Sequence, residues 1–478
     1  MNIALILHAL LVIGLTLRIL WRDDLSPVAR LAWFIIILIF PYAGVAIYWM
    51  FGEVKLGFNA DSYAQQTLAR LHNHAPQVLG EAKNIAEKIS LCYRAGFTYL
   101  HSVNAFYPVG GNRIELMPDA ATTRQQMIAD MDVATRQIHI LYYIWLTDNT
   151  GSDIAAALMR AARRGVTCRV MADAMGSRQL IKSDLWREMA DAGVELVVAL
   201  PFKRLLKTIL FSRIDLRNHR KITVIDGKIT YCGSQNCADP AFLLKAKYAP
   251  WVDIMLRLQG PIVAQNQMLF AGDWLMAKPQ TPLNEFVFDT QTQDDGSAVA
   301  AIYADGPTER QAATPQLFIT LFTQAQSELI ISTPYFVPDY LVLGALCATA
   351  HRGVKVTLIF PQRNDSFVVA ATSRSYYRQL LEAGIRIYEY QDGLLHAKTL
   401  TIDTKLAFIG STNLDLRSFD LNYENNVLIY DAAVATAIRT RQQSYIDSSK
   451  RVALSTVNDW SFLRRLWNNI VATIGPIL

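Results

Sequence analysis

The sequence predicts an α/β protein with two α/β/α sandwich halves related by a pseudo-twofold axis, preceded by an N-terminal two-helix transmembrane hairpin. Three observations predict this fold: two apolar stretches near the start, a repeated order of strands and helices, and a polar motif that occurs twice at the same internal spacing. A chain of 478 residues is long enough to bury more than one hydrophobic core.

The two apolar stretches run from Ile3 to Leu20 and from Leu31 to Met50, separated by the polar link WRDDLSPVAR. Each is close to the roughly 20 residues that a helix needs to cross a bilayer. Because the first lacks a basic start and a small-residue cleavage site, we expect a retained anchor over residues 1–52 rather than a signal peptide. Arginines around the link favour its cytoplasmic location, whereas free cysteines favour a cytoplasmic catalytic part, so the membrane side stays open.

The overall composition excludes few classes of protein. Lys and Arg number 46 against 41 Asp and Glu, so the chain is only mildly basic. The five cysteines are odd in number and scattered, which indicates neither a disulfide framework nor a zinc site. The 52% of hydrophobic residues is high for a soluble enzyme and reflects the apolar start.

Behind the hairpin, the chain divides into a helical connector over residues 53–108, a first half over 109–285 and a second half over 286–455. In each half a β-rich run precedes a helix that ends in Arg-Gly-Val, at residues 164–166 and 352–354, and leads into a further strand. Glycine after the last turn is typical of a helix end. Alternating strands and helices of this kind indicate mixed sheets with helices packed on them.

The motif His-x-Lys-x₄-Asp occurs once in each half, and Gly-Ser-x-Asn begins seven residues after each aspartate. Its polar members are His219, Lys221, Asp226, Ser234 and Asn236 in the first copy, and His396, Lys398, Asp403, Ser411 and Asn413 in the second. His and Lys two residues apart in a strand point to one face, so we expect both copies to face one cleft. Lysine, serine and asparagine from both halves would surround a phosphate, which points to phosphodiester chemistry without metal or cofactor.

These paired motifs resemble those of the phospholipase D superfamily, so each half is expected to be a phospholipase D-like sandwich. Strings such as CADPAFLLKAKYAPWVD and GSTNLDLRSFDLNYENN make the chain similar, more narrowly, to bacterial cardiolipin synthases. The resemblance implies that His219 attacks phosphorus and that His396 is the acid and then the base. It also implies that the lysines, serines and asparagines hold the phosphoryl oxygens, that Asp226 and Asp403 mainly brace the motifs, and that Asp253 and Glu424 orient the histidines.

The implied activity is reversible phosphatidyl transfer between two phosphatidylglycerol molecules, which gives cardiolipin and glycerol. A membrane-bound phospholipase D that forms phosphatidic acid, or a synthase that uses phosphatidylethanolamine as its second lipid, stays an alternative. A soluble nuclease would have no hairpin, and a scaffold would not need both histidines. The implied partners are phosphatidylglycerol, other anionic phospholipids and the bacterial cytoplasmic (inner) membrane, crossed more than once, with no nucleic acid; homodimer formation stays open.

Two amphipathic segments are candidates for contact with lipid. The segment FKRLLKTIL, residues 202–210, places apolar residues at helical spacing opposite lysines and an arginine. A C-terminal helix over residues 456–478 combines apolar positions from Phe462 to Ile474 with Arg464, Arg465, Asn468 and Asn469. Ordinary packing of the apolar face against the core is the alternative for both segments.

Overall fold

The computed structural model of the protein describes residues 3–25, 27–53, 60–201, 213 and 215–474. The predicted amphipathic segment 202–210 lies outside the described residues. The helices of the described chain are α1 Ile3–Trp21, α2 Pro27–Ile39, α3 Pro41–Phe51, α4 Ala60–His74, α5 Lys83–Lys88, α6 Arg94–Asn104, α7 Ala120–Asp132, α8 Asn149–Arg163, α9 Arg178–Ile181, α10 Asp184–Asp191, α11 Ile262–Ala277, α12 Ala313–Gln324, α13 Tyr340–His351, α14 Phe367–Ser375, α15 Tyr377–Glu382, α16 Leu416–Asp420, α17 Ala432–Asp447, α18 Leu454–Asn458 and α19 Phe462–Ile474.

Helices α1, α2 and α3 pack together around Ile19, Trp33, Ile37 and Tyr48, which are buried. The second apolar stretch, from Leu31 to Met50, is divided between two helices, since α2 ends at Ile39 and α3 begins at Pro41. Pro41 is the first residue of α3, and proline has no N–H to continue the preceding helix. In the part of the chain that the structure describes, no helix has both the length and the apolar character needed to cross a bilayer.

The strands are β1 Val109–Leu116, β2 Gln137–Tyr142, β3 Thr167–Asp173, β4 Glu195–Ala199, β5 Arg217–Asn218, β6 Lys221–Ile225, β7 Ile229–Gly233, β8 Trp251–Val252, β9 Met255–Gln259, β10 Ala298–Asp305, β11 Glu328–Ser332, β12 Phe336–Val337, β13 Lys355–Pro361, β14 Arg386–Tyr390, β15 Leu394–Leu395, β16 Thr399–Ile402, β17 Leu406–Gly410, β18 Leu414–Asp415, β19 Asn422–Tyr430 and β20 Ser449–Val452. Among the described residues, sixteen strands form one sheet, and β12–β18 and β8–β15 are separate pairs.

The large sheet has the same strand order on both sides of its centre. The order is β1-β9-β7-β6-β2-β3-β4 in the first half and β10-β19-β17-β16-β11-β13-β14 in the second, with β20 beyond β14. The halves meet where β1 pairs antiparallel with β10, with Val109 opposite Ala300. Pairs β2–β3, β3–β4, β11–β13 and β13–β14 are parallel, whereas the strands that carry the motifs pair antiparallel. The prediction of an α/β fold with two repeated halves is confirmed.

Both faces of the first half are covered by helices. Ile138 and Ile140 of β2 belong to a cluster with α7, α8 and α10, whereas Leu141 of the same strand belongs to a cluster with α11. Side chains of successive strand residues point to opposite faces, so helices lie on both sides of the sheet. The predicted connector adds to this core, since its residues Leu71 and Phe97 are fully buried there.

Candidate active site

Each motif lies on a β-hairpin, as the alternating β-branched residues predict. In the first copy β6 turns into β7 through Asp226 and Gly227, whose φ angles are 53° and 70°. The second copy makes the same turn with Asp403 and Thr404, at φ 53° and 51°. Left-handed conformations at both central positions are typical of the tight hairpin turn whose twist matches that of the strands. The histidine and lysine of each copy lie at the other end of the hairpin.

His219 is held by residues of the second half. Its backbone N–H donates to the carbonyl of Tyr423 at 2.8 Å, and its Nδ1 lies 3.3 Å from Oε1 of Glu424. Nδ2 of Asn422 lies 3.1 Å from the same ring nitrogen and donates to Oε1 of Glu424 at 3.2 Å. The ring of Tyr143 contacts the imidazole with a centroid separation of 4.1 Å. Backbone and side chain are therefore both fixed from across the pseudo-twofold.

His396 is held in the same way by the first half. Its backbone N–H donates to the carbonyl of Val252 at 2.8 Å, and Nδ1 lies 2.6 Å from Oδ1 of Asp253. The indole of Trp251 packs against the imidazole at a centroid distance of 4.6 Å. The prediction that Asp253 and Glu424 orient the histidines thus fits the geometry, and each acid serves the histidine of the opposite half.

Arg220, the residue after His219, links this segment to Asp273 and to the backbone of Glu424. Its guanidinium pairs with Asp273 at 2.5 Å and donates to the carbonyl of Glu424 at 3.2 Å. Together with Asn218 it lines a cavity of about 1250 Å³ that lies away from the two imidazoles. That cavity is consequently not where the motif side chains meet.

Burial and charge set the protonation of the paired groups. Burial raises the pKa of Glu424 and of Asp253, but the facing histidine and lysine of each outweigh it and lower the pKa overall. Burial lowers the pKa of His219, and it lowers that of His396 to about 4. A neutral imidazole that donates its Nδ1–H to a carboxylate keeps a lone pair on Nε2.

The two lysines differ in their hydrogen bonds. Nζ of Lys221 donates to the carbonyl of His219 at 2.7 Å. Nζ of Lys398 donates to the carbonyl of His396 at 2.7 Å and also lies 2.9 Å from Nε2 of that imidazole. Burial lowers the pKa of both ammonium groups, and that of Lys398 falls to about 7. Within the described chain, therefore, only the second imidazole has its Nε2 engaged by a lysine.

The serines of Gly-Ser-x-Asn make hydrogen bonds within the protein. Ser234 Oγ donates to Oδ1 of Asp253 at 2.6 Å and accepts from the backbone N–H of Ile254 at 3.1 Å. Ser411 Oγ accepts from the N–H of Asn425 at 2.9 Å and helps to lower the pKa of Glu424. The Ser234 hydroxyl is thus engaged by Asp253 and the Ser411 hydroxyl by the backbone of Asn425. A role of the two serines in holding phosphoryl oxygens stays a prediction.

The asparagines remain candidates for holding the phosphate. Oδ1 of Asn236 accepts from the backbone N–H of Ile144 at 3.4 Å, which leaves its NH₂ group able to donate to a substrate. Asn413 donates one N–H of its NH₂ group to Ser418 Oγ at 3.0 Å, so only the other N–H can donate to a phosphoryl oxygen. Its buried Oδ1, which is an acceptor, has no partner within the described residues.

Asp226 and Asp403 lie at the far end of the hairpins, roughly 16 Å along the strand from the lysines. Each carboxylate caps three backbone N–H groups at the start of a neighbouring strand, at 2.7 to 3.0 Å. Those N–H groups belong to Thr135, Arg136 and Gln137 for Asp226, and to Gln326, Ser327 and Glu328 for Asp403. The expectation that they brace the motifs fits this geometry, and a catalytic role does not.

The structure adds three site residues that the sequence analysis did not assign. Tyr143 and Trp251 pack on the two imidazoles, and Asn422 contacts both His219 and Glu424. Asn422 could have been found, because it lies two residues before Glu424 on the same strand and so shares its face. The aromatic residues gave no such signal, since aromatic strand ends are equally common in cores.

Comparison with protein families supports the duplication. Residues 127–274 and 318–445 match the family described as "Cardiolipin synthase, PLD-like domain". Residues 9–53 match a second family, described as "Phospholipase_D-nuclease N-terminal". The first pair of matches contains both motifs and both orienting acids.

Individual relatives are similar over nearly their whole length. The chain is 35% identical to "Cardiolipin synthase A" of Serratia proteamaculans over 469 residues, which cover 97% of this chain and 94% of that protein. It is 36% identical to "Cardiolipin synthase A" of Escherichia fergusonii, covering 92% and 91% of the two chains. Among solved structures, a phosphatidylserine synthase from Haemophilus influenzae has a TM-score of 0.59 at 16% identity, covering 81% of this chain and all of that one, which shows a shared fold.

Proposed function

Because the chain belongs to the cardiolipin synthase family of the phospholipase D superfamily, we propose that it joins two phosphatidylglycerol molecules into cardiolipin and releases glycerol. The observation that carries this proposal is the pair of imidazoles, one half-buried and one buried, each beside a carboxylate of the opposite half. One phosphodiester can lie between two such groups, with Lys221 and Lys398 on its charged oxygens. No step of this exchange consumes an oxidant, a reductant or a nucleotide.

In the first step Nε2 of His219 attacks phosphorus of one phosphatidylglycerol. The bond between phosphorus and the oxygen of the head-group glycerol breaks, and His396 protonates that leaving oxygen. The anionic phosphodiester favours the protonated form of His396, because a nearby negative charge raises the pKa of an imidazole. The product is a phosphatidyl group bound to His219, together with free glycerol.

In the second step the head-group hydroxyl of another phosphatidylglycerol takes the place of glycerol. His396, now neutral, accepts the proton of that hydroxyl while its oxygen attacks phosphorus and the bond to His219 breaks. Because one phosphate ester of glycerol is replaced by another of the same kind, the free-energy change is small and the exchange is reversible. Water in place of the second lipid would give phosphatidic acid, so the outcome depends on excluding it.

The assignment of His219 as nucleophile has a structural argument. Its Nε2 accepts no hydrogen bond from Lys221, which binds the backbone carbonyl, whereas Nε2 of His396 is engaged by Lys398. A free lone pair suits a nucleophile, and contact with an ammonium proton suits a group that exchanges protons. Nε2 is the relevant atom, since Nδ1 faces Glu424.

Residues 1–52 are proposed to anchor the enzyme in the bacterial cytoplasmic membrane as a two-pass hairpin. Their match to an N-terminal family segment and their outward apolar side chains support this role. Four large apolar side chains of this region are about 60% exposed: Leu10, Leu17, Leu38 and Ile39. Contact of so much apolar surface with water is unfavourable, whereas contact with lipid is not. Protease protection of tags placed before Ile3 and after Leu478 in sealed vesicles would test whether both ends lie on one side.

The test of the activity is mass spectrometry of the lipids and the glycerol formed from phosphatidylglycerol liposomes in the presence of a chelator. His219→Ala and His396→Ala are the site variants. His351→Ala is the matched control, because His351 lies exposed at the end of α13. We expect cardiolipin and glycerol from the wild type and the control, and less than about one-thousandth of that rate from either site variant.

Other products would decide against the proposal. Phosphatidic acid as the main lipid product would make the enzyme a phospholipase D, and no lipid product would reject lipid transfer altogether. Mass spectrometry of peptides after a neutral denaturing quench should locate the phosphatidyl group on the peptide with His219; modification of the His396 peptide instead would reverse the roles of the two histidines.

A further inference from the structure

The C-terminal helix α19 presents its apolar side chains to solvent. Phe462 and Leu463 are 76% and 74% exposed, and Leu466, Trp467 and Ile470 are 43% to 53% exposed. These five positions follow one another at helical spacing and form one stripe, the apolar stripe. Several large apolar side chains that stay exposed side by side mark a surface for binding, since scattered single ones are what an ordinary surface shows.

The other side of α19 attaches it to the protein. Asn468 and Val471 are each only 5% exposed, and the helix packs along α14. The apolar face predicted from the sequence is therefore divided, because Val471 packs inward whereas the five residues of the apolar stripe stay exposed. On this buried side, Nδ2 of Asn468 has no partner in the described chain. A polar group is therefore buried here while the apolar side chains of the stripe are not. The helix is turned so that the stripe points outward.

Helix α14, on which α19 packs, connects the apolar stripe with the exposed apolar residues near His396. These residues, called the active-site rim below, are Phe367, Leu243 and Leu244. α14 begins at Phe367, which is 72% exposed, two residues after Asp365. Asp365 accepts from Tyr335 at 2.8 Å and pairs with Lys245 at 2.5 Å. Lys245 belongs to the loop that runs on to Trp251 and so to the ring of His396. Exposed Leu243 and Leu244 precede Lys245 in this loop.

We propose that the apolar stripe of α19 docks on the surface of a phospholipid bilayer and places the active-site rim against it. The inference rests on the proposed function, because a substrate that resides in a bilayer requires the rim to approach that bilayer. Trp, Phe and Leu on one face beside arginines are typical of a helix that lies in the plane of a membrane interface. Arg464 and Arg465 are exposed next to the stripe and would meet anionic head groups.

Fluorescence quenching tests the docking without depending on turnover. Full-length protein is reconstituted in phosphatidylglycerol bilayers with and without brominated acyl chains, and wild type is compared with Trp467→Phe. Tryptophans of the N-terminal helices contribute equally to both proteins, so the difference spectrum reports Trp467 alone. We expect the Trp467 component to be quenched by brominated lipid; an unquenched component would overturn the proposal.

Activity gives the second measurement. Leu463→Gln with Ile470→Gln should lower the rate on phosphatidylglycerol liposomes by about fivefold or more and leave the rate on detergent micelles within about twofold. The matched control is Leu91→Gln with Val133→Gln, since Leu91 and Val133 are 77% and 72% exposed outside the stripe. The control pair should lose nothing on either substrate.

The outcomes separate this inference from the proposed function. If brominated lipid quenches Trp467 but the protein makes no cardiolipin, the proposed function is rejected and the docking surface is kept. If the wild type makes cardiolipin and the α19 variant keeps the wild-type rate on liposomes as well as on micelles, the docking surface is rejected and the proposed function is kept. A change in oligomer size of the α19 variant, with Trp467 unquenched, would make the stripe an interface between copies and overturn lipid docking.

Discussion

Nδ1 of His396 lies 2.6 Å from Oδ1 of Asp253, a residue of the other half of the chain. The reverse pair, His219 with Glu424, has a separation of 3.3 Å. Each half thus holds the acid that orients the histidine of its partner half. Neither half by itself contains a complete site, which explains why the two must pack through the β1–β10 seam before either imidazole is fixed.

Asp253→Asn should lower the turnover number by about 10²- to 10⁴-fold, because an amide neither fixes the Nδ1–H tautomer nor stabilises the charged imidazole. Glu424→Gln should act in the same direction through His219. Steady-state rates on micellar phosphatidylglycerol measure both. The exposed Asp459→Asn serves as control and should match the wild type. A rate of the Asp253 variant within about threefold of wild type would contradict the orienting role.

The resemblance stated from the sequence proposes Asp253 and Glu424 as orienting acids, but it does not say which histidine each one faces. Asp253 and Glu424 follow His219 and His396 in their own halves, so spacing alone gives no reason to exchange them. The exchange depends on where β8 and β19 meet the opposite motif, which is set by contacts between residues far apart in the chain. Motif spacing reports local backbone geometry, and partner choice is a property of the assembled halves.

Asp226→Asn should destabilise the protein and leave the chemistry of the folded protein intact. The carboxylate accepts three backbone N–H bonds, and its replacement by an amide weakens charge-assisted hydrogen bonds at a cost of about 1–3 kcal/mol. We expect a lower midpoint of thermal unfolding in detergent, with turnover at low temperature close to wild type. Asp403→Asn should behave alike. Full thermal stability together with loss of turnover would instead assign these residues to catalysis.

Gly233→Ala should cost at least about tenfold in turnover, because the added Cβ would lie 2.3 Å from the carbonyl oxygen of Ile254. Relief of that contact would separate β7 from β9 and displace Ser234 from Asp253. Gly344→Ala is the matched control: it lies in a helix with nothing within 4 Å of the new Cβ. The control should keep full turnover and gain about 0.5–1 kcal/mol of stability. Equal behaviour of the two variants would contradict the close-approach argument.

The glycine and serine of the same motif show where sequence reasoning succeeds and where it ends. A glycine after a return strand predicts close backbone approach, and Gly233 and Gly410 both fit this expectation. The serine next to it has a hydroxyl that either a phosphate or a carboxylate satisfies equally well. Ser234 donates to Asp253, which lies between β8 and β9, and this contact depends on the assembled fold rather than on the motif. Hydropathy reports one apolar stretch from Leu31 to Met50, and only Pro41 marks where α2 and α3 separate.

The pH dependence of the reaction should follow Lys398. Burial lowers the pKa of its ammonium group to about 7, so the group is charged below that pH and neutral above it. A neutral amine attracts the phosphodiester less, and kcat/KM should therefore fall as pH rises through about 7. Lys398→Arg keeps its charge at every accessible pH, so its kcat/KM should be lower at the maximum but show no fall up to about pH 9. Profiles on micellar substrate from about pH 5.5 to about pH 9 test this, with the exposed Lys405→Arg as control. If the Lys398 variant keeps the fall of the wild type, the titrating group is another residue.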